Sequence, residues 1–126
     1  MLGFKKKKKI LVAEDDPSAA TLLTEFLKMQ GYDTLWAKDG AEVIELVEKN
    51  MPDLIFLDIR MPKMPGTQVL LLLKAKQKIK DIPVLMCTAL NTMNEVEDSC
   101  RNGALGYITK PYDLHRVIDK VKSILG

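Results

Sequence analysis

Two apolar runs that each close on acids set the pattern of this chain. Asp53-Leu-Ile-Phe-Leu-Asp58 places four apolar residues between Pro52 and the loop Met61-Pro-Lys-Met-Pro-Gly66, and Ile10-Leu-Val-Ala13 runs into Glu14-Asp15-Asp16. A run that is apolar on both faces reads as a strand buried on both sides of a parallel sheet. In open α/β sheets ligands bind beyond the carboxyl ends of the strands, so Asp58 and the acids after Ala13 fall where chemistry is done.

Between and after these runs the period changes to that of helices. Asp16-Pro17 starts the first helix, with Ala19, Leu22, Leu23, Phe26 and Gln30 as its inward stripe and Gly31 as its end. Residues 32–37 form a mixed strand whose Asp33 and Thr34 place it at a sheet edge. Asp39-Gly40 opens a second helix with Val43, Ile44 and Val47 inward, closing at Asn50. A third helix runs from Gly66 to about Lys78 on Val69, Leu70, Leu72 and Leu73. Residues 82–87 form the fourth strand, delivering Thr88-Ala89. The fourth helix, about residues 91–102, has only Met93, Val96 and Cys100 as its stripe, so it is expected to be weakly anchored and mobile. Residues 105–109 form the fifth strand, ended by Lys110-Pro111. The last helix keeps its period through Leu114, Val117, Ile118, Val121 and Leu125.

Five strand–helix alternations with short links predict an α/β fold, a flavodoxin-like doubly wound parallel sheet with helices on both faces. The first, third and fourth strands are the most apolar and belong in the middle. The order 2-1-3-4-5 satisfies that and brings Glu14, Asp15 and Asp58 together, with Thr88 and Lys110 arriving from the other side.

Composition narrows the picture. At 126 residues the chain suits one domain, residues 1–126 with a basic lead-in over 1–8. The net charge of +2 is set by Lys5 to Lys9; without those five, 14 basic residues face 17 acidic ones, a balance of −3. That is not a nucleic-acid-binding surface, and the lysine run reads as a solvated lead-in, with nucleic-acid or anionic-membrane contact as its lesser reading. No apolar stretch follows the lysines as in a signal peptide, so a cytoplasmic protein with no membrane partner is expected. Cys87 and Cys100 lack metal or redox spacing and read as small buried apolar residues.

Clustered carboxylates must raise a pKa or hold a cation, and oxygen donors without clustered His or thiolate select a hard one, Mg²⁺ or Mn²⁺. Asp15 and Asp58 are the expected direct ligands, with Glu14 acting through water. A metal beside Lys110 and the Thr88 hydroxyl makes a phosphoryl site, where an aspartate can itself attack phosphorus. Taken singly, each residue has a plainer role: Asp16 as a helix cap, Lys110-Pro111 as a turn, His115 as surface. Their ordered recurrence at successive strand ends is what the plain roles do not explain.

The motifs Ile-Leu-Val-Ala-Glu14-Asp15-Asp16, Leu-Ile-Phe-Leu-Asp58-Ile-Arg60-Met-Pro62, Thr88-Ala89 and Tyr107-Ile-Thr-Lys110-Pro111 make the chain resemble a response-regulator receiver domain of two-component signalling, from Lys9 to Leu125. The resemblance implies that Asp58 is the phosphoacceptor and that Glu14 and Asp15 form the acidic pocket. It gives the Arg60 carbonyl to the Mg²⁺ shell, and Thr88 and Lys110 to the phosphoryl group. Tyr107 becomes the aromatic switch and Pro111 a cis-proline after Lys110. It further implies a histidine kinase or phosphotransfer protein as donor and a downstream protein bound by the surface of the fourth helix, fifth strand and last helix. The protein is then a monomer or weak phosphorylation-linked dimer, with no enzymatic activity beyond its own phosphotransfer and dephosphorylation. Two departures stand out. Pro65 replaces the family's usual acid, and Arg60 and Leu90 occupy positions that modulate dephosphorylation, where a long cation and a bulky apolar group are expected to slow the attacking water. Competing readings are a non-phosphorylated interaction module and an aspartyl phosphatase, which wants an acid where Arg60 stands. A nucleotide-binding flavodoxin-like module would need a phosphate loop in place of Glu14-Asp-Asp-Pro17.

Overall fold

The computed structural model describes residues 6–89 and 93–126. Among them strands and helices alternate as β1 (Lys9–Ala13), α1 (Pro17–Met29), β2 (Asp33–Ala37), α2 (Gly40–Asn50), β3 (Leu54–Asp58), α3 (Gly66–Lys74), β4 (Val84–Thr88), α4 (Met93–Arg101), β5 (Gly106–Thr109) and α5 (Leu114–Leu125). The strands pair in parallel in the order β2-β1-β3-β4-β5. The three apolar strands are central, and the half-exposed β2 and β5 are the edges.

Alternate residues of the strands feed two cores. Leu11, Ile55, Leu57, Val84 and Met86 pack under α2, α3 and α4 through Val43, Val47, Val69, Leu70, Leu73 and Val96. Ile10, Val12, Leu54, Phe56, Leu85 and Cys87 pack under α1 and α5 through Leu23, Leu27, Val117 and Val121. Helix starts face the carboxyl ends of the strands. Asp16, Asp39 and Asp113 cap α1, α2 and α5, their side chains accepting from Ser18, Glu42 and His115 backbone N–H groups.

Several expected details shift. The buried stripe of α1 is Ala20, Leu23 and Leu27, whereas Leu22 is 49% exposed. The helix carries apolar residues around more than half its circumference, and packing against Ile10, Val12 and α5 selects the phase. Helix α3 ends at Lys74, short of Lys78. The chain turns there so that Ile79 enters the core, while the Lys74 ammonium donates to the carbonyls of Lys80 (2.8 Å) and Ile82 (3.0 Å). In α4 the inward position is Ser99, and Cys100 is exposed; a step of three from Val96 stays over β4, whereas a step of four leaves it. Strand β4 starts after Pro83, β2 after Tyr32, and β5 after the exposed Leu105. Asn91 and Leu90 lie outside the described residues. Among the described residues no helix is long and apolar enough to cross a membrane.

Candidate functional site

Four strand ends converge at one edge of the sheet. Ala13 aligns with Leu57, Asp58 with Cys87, and Thr88 with Thr109, so Glu14, Asp58, Thr88 and Lys110 emerge side by side. A cavity of about 210 Å³ is lined by Glu14, Asp15, Asp16, Asp58, Arg60, Thr88, Ala89 and Lys110. Glu14 and Asp58 are buried, Thr88 likewise, while Asp15 is exposed at the mouth.

Lys110 holds the pocket together. Its ammonium lies 2.7 Å from Asp58 Oδ2 and 2.7 Å from Glu14 Oε1. Asp58 Oδ1 accepts from the Arg60 backbone N–H at 3.1 Å, and Glu14 also accepts from the Tyr112 hydroxyl at 3.2 Å. Burial, and then the hydrogen bond shared with Glu14, push the Asp58 pKa up to about 7 against the pull of Lys110. Burial also opposes charge on Glu14, but its hydrogen bonds to Asp58 and Lys110 and the Lys110 charge outweigh it and leave the pKa lowered. Lys110 itself is burdened by burial, yet the two carboxylates raise its pKa and keep it cationic.

One carboxylate oxygen each from Glu14, Asp15 and Asp58 lie within 4.8 Å of one another. Three carboxylates against one ammonium leave an excess of two negative charges, which matches a divalent cation, and the donors are all hard oxygens. The neighbouring Cys87 does not change that selection, because burial pushes its thiol up to about 12 and keeps it neutral. The acidic cluster thus suits a hard divalent cation such as Mg²⁺.

The remaining singled-out residues are arranged around this pocket. The Thr88 hydroxyl donates to the Ala89 carbonyl at 2.8 Å. The Arg60 guanidinium turns away from the acids and reaches Glu95 on α4 at 3.0 Å. Tyr107 is outside the cavity: it aligns with Met86 on the α4 side of the sheet, is 39% exposed, and lines a separate cavity of about 450 Å³ with Arg116 and Lys120. The Lys110-Pro111 peptide bond is cis, and His115 is exposed. Three contributors escaped the sequence pattern. Tyr112, which ties Glu14 to the start of α5, immediately follows Lys110-Pro111 and was within reach of the motif. Trp36 donates its indole N–H to the Glu14 carbonyl at 2.7 Å; nothing in sequence relates those two residues. Gly66 lies against the backbone of Asp58 and Ile59, where a Cβ would collide with the Asp58 carbonyl.

Comparison with known proteins agrees with this geometry. The family model described as the response regulator receiver domain matches residues 10–122. The polar-differentiation response regulator DivK of Brucella ovis is 32% identical over 119 residues, 94% of this chain and 97% of DivK. The DNA-binding dual master transcriptional regulator RpaA of Synechocystis is 38% identical over 117 residues, where the chain spans 48% of RpaA. Among solved structures, a putative response regulator from Chloroflexus aurantiacus superposes with TM-score 0.90 at 28% identity, covering 95% of this chain and 98% of that one. The signal receiver domain of a histidine kinase from Syntrophus aciditrophicus gives 0.85 at 34%, covering 94% and 89%. The acids at the ends of β1 and β3 and the lysine that joins them thus lie within a match running nearly the length of the chain, which belongs to the response regulator receiver domains of two-component systems.

Proposed function

We propose that Asp58 accepts a phosphoryl group from a histidine kinase or a histidine phosphotransfer protein. The observation that carries this reading is the single lysine bridging Asp58 and Glu14 in a buried acidic pocket. The ionised Asp58 oxygen attacks phosphorus, the P–N bond to the donor imidazole breaks with its electron pair leaving on nitrogen, and an acyl phosphate remains on Asp58. Lys110, freed from Asp58 by the loss of its charge, pairs with a phosphoryl oxygen, and the Thr88 hydroxyl exchanges the Ala89 carbonyl for another. Glu14, Asp15, Asp58 and the Arg60 carbonyl are the groups to hold Mg²⁺, which when bound would neutralise phosphoryl oxygens and favour the ionised Asp58.

Recruiting Thr88 empties the space it fills, and Tyr107 on the neighbouring strand turns inward, changing the surface of α4, β5 and α5 that a downstream protein reads. A swing from 1:99 to 99:1 between two such states takes about 5.5 kcal/mol of differential stabilisation. Residues 1–126 act as one cytoplasmic receiver unit whose only reactions are its own phosphotransfer and dephosphorylation. An aspartyl phosphatase is disfavoured because the position two beyond Asp58 holds Arg60, engaged with Glu95.

Intact-mass spectrometry after incubation with acetyl phosphate tests this. A gain of one phosphoryl group is expected with Mg²⁺, and none with chelator or in Asp58→Asn. An unmodified wild-type chain that still binds Mg²⁺ would leave only a non-phosphorylated interaction module.

A further inference from the structure

The end of the sheet opposite the acidic pocket is basic, and its lysines come from two separate stretches. Lys6, Lys7 and Lys8 lead into β1; the Lys8 carbonyl accepts from the Asp33 backbone N–H at 3.0 Å, and the Lys9 ammonium donates to the Asn50 carbonyl at 3.2 Å. The last turn of α2 adds Lys49, and the α3–β4 connection adds Lys76, Lys78 and Lys80. A cavity of about 240 Å³ is bounded by the first set with Asn50, Met51 and Asp53. Its neighbour, about 320 Å³, is bounded by Lys76 and Lys78 with Glu48, Ile79 and the same Met51. The two lysine sets therefore meet at Met51, which is 48% exposed.

Acids at this end, Asp33, Glu48, Asp53 and Asp81, are outnumbered by the lysines at 6–9, 49, 76, 78 and 80. Glu48 pairs with Lys76 at 3.8 Å, and Asp53 accepts the Lys9 backbone N–H at 2.8 Å. Among the described residues Lys6, Lys7, Lys8, Lys49, Lys78 and Lys80 form no ion pair. Exposed like charges gathered this way repel one another, and an anionic surface relieves that repulsion.

We propose that this lysine pole docks the chain on an anionic membrane surface, with Met51 as an apolar contact at its centre. The run that reads as a solvated lead-in in sequence thus becomes half of a surface whose other half lies about seventy residues away. Lipid headgroups suit it better than nucleic acid. Base reading and stacking use arginine forks and aromatic faces, and neither cavity is lined by either. An exposed apolar side chain accompanies the charge instead, Met51 where the two cavities meet, and an apolar side chain beside a polybasic surface adds to membrane affinity. The five residues of β3 separate this pole from Asp58, roughly 17 Å at about 3.3 Å per residue. That exceeds the screening length of about 8 Å at physiological ionic strength. A docked chain consequently holds its acidic pocket away from the membrane and electrically insulated from it.

Co-sedimentation of the full chain with phosphatidylcholine vesicles, with and without about 30% phosphatidylserine, tests the proposal. Binding is expected only with phosphatidylserine and is lost in high salt. Each lysine near such a surface is worth roughly fivefold in binding, so Lys78→Gln with Lys80→Gln should weaken it about 25-fold although the lysine run is intact. Three outcomes overturn the proposal: no binding to the anionic vesicles at low salt, unchanged binding by the double variant, or tighter binding to duplex DNA than to those vesicles.

Discussion

Asp58 is buried beside a second carboxylate, and one ammonium compensates both. Its pKa is raised from 3.8 to about 7, so the folded chain keeps a proton that the unfolded chain releases. Between those values the native state binds more protons, and stability from this group is full below about pH 4 and falls as pH rises toward 7. Removing the charge relieves that penalty. In metal-free buffer Asp58→Asn should be more stable than wild type by about 4 kcal/mol at most at pH 8, with the advantage shrinking toward pH 5. Urea unfolding at the two pH values checks this, and a pH-independent difference would contradict it. These carboxylates were legible in the sequence because each terminates an apolar run. The Trp36 and Tyr112 hydrogen bonds to Glu14 were not: they span 22 and 98 residues, and only the completed sheet brings those partners together.

Among the elements, the β3–α3 connection is the least tolerant. Gly66 N–H donates to the Ile59 carbonyl at 2.8 Å, and an added Cβ meets the backbone of Asp58 and Ile59, which cannot yield as a flexible side chain would. Gly66→Ala should cost about 2–3 kcal/mol by overpacking, read as a lowered urea midpoint, and should slow phosphorylation by displacing Asp58. Helix α4 is joined to this connection by the Arg60–Glu95 pair. That pair is exposed, so it adds little to global stability. Its effect belongs to the mouth of the cavity, which Arg60 lines, and on this account a long side chain at that position slows the attacking water. Arg60→Asn should shorten the phosphoryl half-life several-fold, followed by mass spectrometry after quenching; an unchanged half-life ends this account of Arg60. Element types were all readable from period and breakers. What the pattern missed were phases and ends: α1 has two plausible apolar stripes sharing Leu23, and the stop of α3 depends on burying Ile79.

At the scale of the whole molecule the sequence orders charge along the strand direction. Acids cap α1, α2 and α5 and close β1 and β3 at one end, and each helix carries a basic residue in its last turn at the other: Lys28, Lys49, Lys74, Arg101 and Lys122. This complements the helix dipoles and separates an acidic pole from a lysine pole. The strand order followed from ranking apolar content, because buried central strands need two apolar faces and edges do not. The convergence of the lysines did not follow, since those at 6–9 and those at 76–80 belong to different connections and only the fold sets them side by side.

The central claim is that Asp58 alone carries the phosphoryl group. Borohydride reduces an aspartyl phosphate to homoserine, which peptide sequencing by mass spectrometry locates. After treatment with acetyl phosphate and Mg²⁺, homoserine is predicted at position 58, with no homoserine at Asp15 and no 5-hydroxynorvaline at Glu14, and chelation should abolish it. Reduction at another acid, or none under conditions that add a phosphoryl group to the intact chain, would contradict the account.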